Sequence, residues 1–438
     1  MADVATTHPQ LVVPFRGERF AAAQSLSRLI APPYDVIAPP ERARLAASDS
    51  HNIVHLILPE APAGEDRYTR AAELLATWRR EGRLAADAAP AVYVVAQEYQ
   101  VPGDGGEWRT RTGMFAAVAA ESYETRRIRP HEKTHAGPKA DRLALLRATR
   151  TSLESIFLLA PDPDGALLGG LRPVTTTPPA AWAELDDVRM RLWVVTGEPA
   201  ARLAAHCSRH PLYIADGHHR YETAVAHARE NPGADRVLAF IVSAADPGLT
   251  VLPTHRVIFA PGRDIAQLVT RWRRWFDVGR VAPCADRIER LAELGARRTA
   301  CIVALPGGDD LTLVLKPEAP LAEVPQLGKT SAVRTLDVEI VEALVVQEIL
   351  SAGTSTPTLT YTPDARQAFA AVRRGNATSA VLLNPTKVEQ VFAVADAGDV
   401  MPPKSTYFVP KVPSGLVLRP ITETTVRATH WWGIARFG

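Results

Sequence analysis

At 438 residues the chain is long enough for two or three domains, and 46% hydrophobic with 22% charged residues is the balance of a globular protein. Its 50 basic and 48 acidic residues give a formal charge of +2, which leaves no global field to draw nucleic acid or an anionic membrane. The three scattered cysteines, Cys207, Cys284 and Cys301, exclude a disulfide framework or a cysteine-rich zinc site and suit a reducing, cytoplasmic setting.

Residues 1–15 hold no basic stretch followed by an apolar core, and no apolar run approaches the roughly 18 to 20 residues of a membrane span. Neither export nor insertion is expected. Between residues 27 and 60, Pro32, Pro33, Pro39 and Pro40 forbid a continuous helix and stiffen an extended path through Tyr34 and Asp35. That pair either lines a site or crosses the surface with Tyr34 packed on the body. Ala71, Leu74, Leu75 and Trp78 recur at helical spacing within 66–84, and 90–100 reads as a strand. Gly103, Gly105 and Gly106 then form a turn into a return strand, 108–118, whose Arg109 and Arg111 alternate as solvated residues would.

Residues 131–135 spell His-Glu-x-x-His, the zincin signature, which needs His131 and His135 one turn apart on a helix with Glu132 as base. Glu154 is an available third ligand. Pro130, Gly137 and Pro138 argue against the required helix, so a zinc peptidase stands as an alternative. Residues from 141 form a helix leading to a strand near 153–158, and the glycines, prolines and threonines of 160–180 read as a loop-rich crossing. A strand at 188–195 and a short helix at 198–207 follow.

The stretch Leu212-Tyr-Ile-Ala-Asp-Gly-His-His-Arg-Tyr-Glu-Thr-Ala reads as a buried strand, a turn at Gly217 and a helix from Tyr221. A helix start behind a strand is an anion site, as in P-loop and Rossmann folds. Arg220 offers a bidentate fork there, and His218 and His219 donate hydrogen bonds or move protons. The same residues also fit a polar helix cap with structurally satisfied histidines. Beyond a strand at 237–243, His255 and Arg256 form a further His-Arg pair. A C-terminal region is expected from 261, with Trp272 and Trp275 as core anchors of a basic helix. It contains strands near 301–305 and 311–315, helices at 336–350 and 365–374, and a strand at 380–383. Gly328-Lys-Thr-Ser fails as a phosphate loop because residue 323 is glutamate, not glycine. Lys404, Ser405 and Thr406 offer a cation and two hydroxyls to a phosphate or carboxylate, or form a surface connection.

Five segments carry a resemblance: Ile30-Ala-Pro-Pro-Tyr-Asp-Val, Arg129-Pro-His-Glu-x-Thr with Lys139 and Asp141-Arg142, Ala215-Asp-Gly-His-His-Arg, Pro253-Thr-His-Arg-Val and Met401-Pro-Pro-Lys-Ser-Thr-Tyr-Phe. Over nearly the whole chain they look like a bacterial family catalogued as domain of unknown function 1015. Pro-His-Glu and Asp-Gly-His-His-Arg also resemble the ParB/sulfiredoxin-like enzymes that phosphorylate free serine. The resemblance implies a mixed α/β fold, with a ParB/sulfiredoxin-like core in residues 1–260 carrying large insertions, one looping out around 160–200, and a C-terminal α/β region, 261–438, closing the pocket. It implies a kinase making O-phosphoserine from free L-serine, with Mg2+ and with ATP, ADP or pyrophosphate as donor. Glu132, Asp216 and His218 would be catalytic, Asp216 also binding the metal. Gly217, His219, Arg220, Lys139 and Arg142 would hold phosphate. Tyr34, Asp35, His131, Thr134, His255, Arg256, Lys404, Ser405 and Thr406 would contact the substrate. The partner is then a small molecule, with neither nucleic acid nor membrane involved. A nucleotide sensor without chemistry is the alternative on the same fold.

Overall fold

Apolar runs too short for buried helices become the strands of one mixed sheet in the computed structural model. It describes residues 9–21, 25–102, 106–134, 136–262, 264–281, 286–328, 330–351 and 356–421. The strands are β1 (Val12–Val13), β2 (Ala91–Gln100), β3 (Trp108–Ala119), β4 (Ile128–Arg129), β5 (Ile156–Ala160), β6 (Ala181–Leu185), β7 (Val188–Thr196), β8 (Leu212–Asp216) and β9 (Arg236–Ser243). Their order is β4-β8-β5-β9-β3-β2-β7-β6, with β1 also beside β3. The β4–β8 and β5–β9 pairs are parallel. In β9, Leu238, Phe240 and Val242 enter one core while Val237, Ala239 and Ile241 enter the other. Period-two alternation with both faces covered explains why the strand sequence is apolar throughout.

Helices α1 (Arg67–Arg80) and α2 (Ala136–Thr149) contribute to the first core; α3 (Ala166–Thr175), α4 (Gly197–Cys207) and α5 (His218–Glu230) contribute to the second. Asp66 caps α1 by accepting the Thr69 N–H, and Ala71, Leu75 and Trp78 form its buried stripe. The stretch read as a loop-rich crossing holds α3. Asp162 accepts the Leu167 and Leu168 N–H groups at its start, and Pro173 falls only in its last turn. Gly170 is there for packing, since a Cβ would lie 2.9 Å from Leu203 of α4. Nor does 160–200 loop out, because β7 pairs with β2 from Arg189 through Thr196 and so belongs to the sheet.

A second, antiparallel sheet follows the short strand β10 (Thr250–Leu252). It comprises β11 (His255–Phe259), β12 (Phe276–Val281), β13 (Ala300–Ala304), β14 (Asp310–Leu315), β15 (Thr358–Thr362) and β16 (Ser379–Leu383), in the order β12-β14-β13-β16-β11-β15. Trp272 and Trp275 are buried against it as expected. The helix expected over 336–350 is helical from Asp337 to Ser351 but passes through a π turn at Glu342–Val346. The chain then returns to the first core, which Phe408, Leu416 and Leu418 enter: β17 (Tyr407–Val409) pairs with β10 in a separate two-stranded sheet, and Arg419 pairs with Ser152 in another. No helix among the described residues is long and apolar enough to cross a membrane.

Arg111, expected to be solvated, is fully buried on β3. Its guanidinium donates to Gln97 Oε1, to Val409 O at 3.2 Å and to Pro410 O at 2.6 Å, while lying 4.8 Å from the centre of the Phe157 ring. Alternation alone misreads it, because the returning segment covers what would otherwise be an exposed strand end. Burial pushes its pKa down to about 10, still charged at neutral pH. Arg111→Met fills the space yet strands three buried acceptors, each worth about 1 to 3 kcal/mol when unmet. A loss of about 3 kcal/mol or more is expected in urea unfolding; an unchanged midpoint would refute this assignment.

Candidate functional site

Strand β8 delivers Asp216 to the sheet edge, and Gly217 turns the chain with φ of 92°, in the left-handed region. The helix therefore starts at His218, three residues before the expected Tyr221. A Cβ on residue 217 would sit 3.1 Å from the Arg220 guanidinium, so the glycine also makes room for that side chain. No side chain caps α5, which leaves the positive end of its dipole to other partners. Arg220 turns back: Nη2 meets Asp216 Oδ2 at 2.8 Å, and Nη1 donates to the Ser155 carbonyl. The other Asp216 oxygen takes Lys411 Nζ at 3.2 Å. Burial opposes the charge on Asp216, but Lys411 and Arg220 prevail and hold its carboxyl well below the usual range.

Two distant segments close on this turn. The His131 N–H donates to His218 Nε2 at 3.3 Å, which puts the proton of a neutral His218 on Nδ1. The two rings meet edge to face at 4.8 Å. His131 Nε2 lies 3.2 Å from Thr406 Oγ1, and Met401 N donates to His131 O. Burial lowers the pKa of both imidazoles, so neither is a cation at neutral pH. Glu132 bridges Met401 through its backbone, and its Oε1 accepts the Lys404 N–H at 3.2 Å. Thr134 Oγ1 and Lys139 Nζ both reach Glu222 Oε2, at 2.7 and 2.9 Å. His131 thus links this segment to the Gly217 turn through His218, while the Glu132 side chain is directed to Lys404.

Tyr34 and Asp35 approach from a third side. Tyr34 N donates to Glu154 Oε1, Arg142 reaches Glu154 Oε2, and the Arg142 guanidinium lies 4.1 Å from the Tyr34 ring centre. Burial, with the Asp35 charge added, pushes the Tyr34 hydroxyl up to about 12. Asp35 is exposed, and its charge acts on both Arg220 and Lys411.

Other expected members have different employment. His255 accepts the Leu383 N–H, and buried Arg256 pairs with Glu342 at 3.2 Å, so both hold the second sheet together. Ser405 Oγ donates into its own loop at Pro402 O. The zincin geometry is absent at His131 and Glu132, which occupy extended chain before α2 begins at Ala136; His135 lies outside the described residues. Glu154 faces Arg142 instead of His131. Among the described residues no group of three His, Cys, Asp or Glu side chains is placed to hold a metal. Asp216, with a cation on each oxygen, does not fit a magnesium ligand. Sequence reasoning passed over Lys411 and Glu222; the only hint of Lys411 was its place in a proline-flanked polar loop.

Because the folded pKa of Asp216 lies below its unfolded value near 3.9, its stabilisation is present above about pH 4 and is lost as pH falls through the folded value. Asp216→Asn should therefore unfold earlier than the wild type at pH 7, with the gap narrowing below about pH 4. Urea midpoints across that range test this, and a gap independent of pH would oppose it.

Among curated proteins none matches the chain in sequence. Of solved structures, a conserved hypothetical protein from Pyrococcus furiosus is 13% identical with a TM-score of 0.36, the match covering 70% of this chain and 95% of that one. A free serine kinase in complex with AMP is 14% identical with a TM-score of 0.36, covering 69% and 92%. SbnI with C-terminal truncation from Staphylococcus aureus is 11% identical with a TM-score of 0.37, covering 70% and 87%. The family model described as "Protein of unknown function (DUF1015)" matches residues 12–339, and the chain belongs to that family.

Proposed function

We propose that the cluster binds a phosphate donor at the start of α5 and transfers its terminal phosphoryl group to the hydroxyl of a small molecule. The reading is supported by the His131 N–H bond to His218, which sets Glu132, whose side chain accepts the Lys404 N–H, one residue away from a contact with the Gly217 turn. Phosphoryl transfer asks a protein mainly for positioning, charge neutralisation and a proton acceptor, and these groups supply each. Free L-serine giving O-phosphoserine is the proposed reaction, with ATP, ADP or pyrophosphate as donor. The serine oxygen bonds to phosphorus as the bond to the departing phosphate breaks, and the hydroxyl proton passes to Glu132. Magnesium is proposed as a companion of the donor's phosphates and not as a ligand of Asp216. His218 and His131, neutral and mutually packed, keep the Glu132 backbone against the turn.

A nucleotide sensor without turnover is the second reading. It is favoured by Arg220 and Lys139 being already committed to Asp216 and Glu222. Phosphorus NMR of the purified chain with magnesium, serine and each donor separates the two. Phosphoserine should form, and Glu132→Gln should lower its rate by about 100-fold or more while nucleotide affinity is kept. Nucleotide binding without phosphoserine from any donor would leave the sensor.

A further inference from the structure

A cleft of about 850 Å³ opens beside the candidate site, bordered by Tyr99, Val101, Val188, Leu252, Tyr407 and Lys411. Lys411 belongs to both places. Its Nζ bonds to Asp216 at 3.2 Å and lies 4.5 Å from the centre of the Tyr407 ring. On the facing wall Pro32 and Val36 flank Tyr34 and Asp35, whose charge acts on Lys411. Tyr407 directly follows Thr406, the partner of His131. The cleft therefore meets the site at Lys411, with Tyr407 one residue from Thr406.

From this continuity we infer that the acceptor is larger than free serine: a hydroxyl compound whose serine-like head lies at Lys411 and whose apolar body fills the cleft. The inference rests on the phosphotransfer reading and specifies its substrate. The cleft falls within the about 300 to 1,000 Å³ of sites that enclose drug-sized ligands, whereas free serine would leave most of it to water. Its walls are aliphatic, aromatic and proline side chains, and Val36 keeps 43% of its surface exposed there, an apolar face without a partner. Apart from Lys411, the charged residues that border the cleft are Glu41, Asp186, Asp187 and Arg366, with Glu41 close enough to act on Asp186. Burial, with the charge of Glu41 added, raises the Asp186 pKa, so that margin disfavours a further anion. A body ending in a neutral or cationic group suits it. The group transfer is the one above: the acceptor oxygen bonds to the terminal phosphorus, the bond from that phosphorus to the donor's bridging oxygen breaks, the shortened donor leaves with that oxygen and its electron pair, and the acceptor's hydroxyl proton goes to Glu132.

The test compares L-serine with L-serine n-hexylamide and L-seryl-L-leucinamide as acceptors for the full chain. The amides should show kcat/KM at least about tenfold above serine. Val36→Trp and Val188→Trp, each adding bulk to a residue that borders the cleft, should raise KM for the amides about tenfold while leaving serine turnover and ADP affinity unchanged. Calorimetry with L-alanine n-hexylamide, which lacks the hydroxyl, should show binding to the wild type that both variants weaken. Equal kcat/KM for serine and the amides, with no binding of the alanine amide, overturns the inference while phosphotransfer stands. Binding of the alanine amide with no turnover of any acceptor supports the cleft and removes the phosphotransfer reading instead.

Discussion

A buried guanidinium that spends its hydrogen bonds on carbonyl oxygens determines where the last described segment of the chain lies. Arg111 reaches out of the first sheet to the carbonyls of Val409 and Pro410, 298 and 299 positions away. Those bonds seat the segment across β2 and β3, which brings Lys411 to Asp216 and Thr406 to His131. Without that anchor the strand-turn-helix would carry a carboxylate answered only by Arg220, and the cleft would lose one wall. Burying an unpaired guanidinium is costly, and it is tolerated here because carbonyls, an amide and two aromatic faces replace its hydration.

The site itself is built of opposite charges that nearly cancel. Asp216 lies between Lys411 and Arg220, Glu154 between Arg142 and the Tyr34 N–H, and Glu222 between Lys139 and Thr134. Such pairs are geometrically rigid, since removing either partner leaves a half-buried charge unanswered. The two imidazoles add shape without charge, because burial keeps them neutral. An entering phosphate would thus meet a preformed lattice in which the cations are held but not used up, and the helix dipole would be its first unopposed attraction.

Local chemistry was readable and long-range chemistry was not. The turn at Gly217 announces itself because an apolar strand stops at a glycine followed by polar residues, and the helix extends only one turn nearer that glycine than its apolar pattern suggests. Of the segments that the resemblance had grouped, the fold joins His131 to His218 and to Thr406, while Tyr34 is held by Glu154 and Arg142. Lys411 carries no such mark: its partner is 195 positions away, and its neighbours read as an ordinary proline-rich loop. Arg111 fails for the same reason, as alternation reports which face a side chain takes but not what later covers that face. The glycines of 165–170 and Pro173 concealed α3, because Gly170 serves close helix packing and the proline falls in the final turn. His255 and Arg256 show the converse error, a polar pair that serves the second sheet.

Residues 401–420 return to pack on the first core, and this bears on how the protein is made. Ribosomal synthesis runs from the N-terminus, so Glu132 and the turn at Gly217 emerge while the whole second sheet is still to be translated. Only when Met401 to Lys411 leave the ribosome can Glu132 find its backbone donor and Asp216 its second cation. Until then the nascent chain carries the helix start at His218 in an unfinished setting, and Asp216 waits for a partner translated almost two hundred residues later.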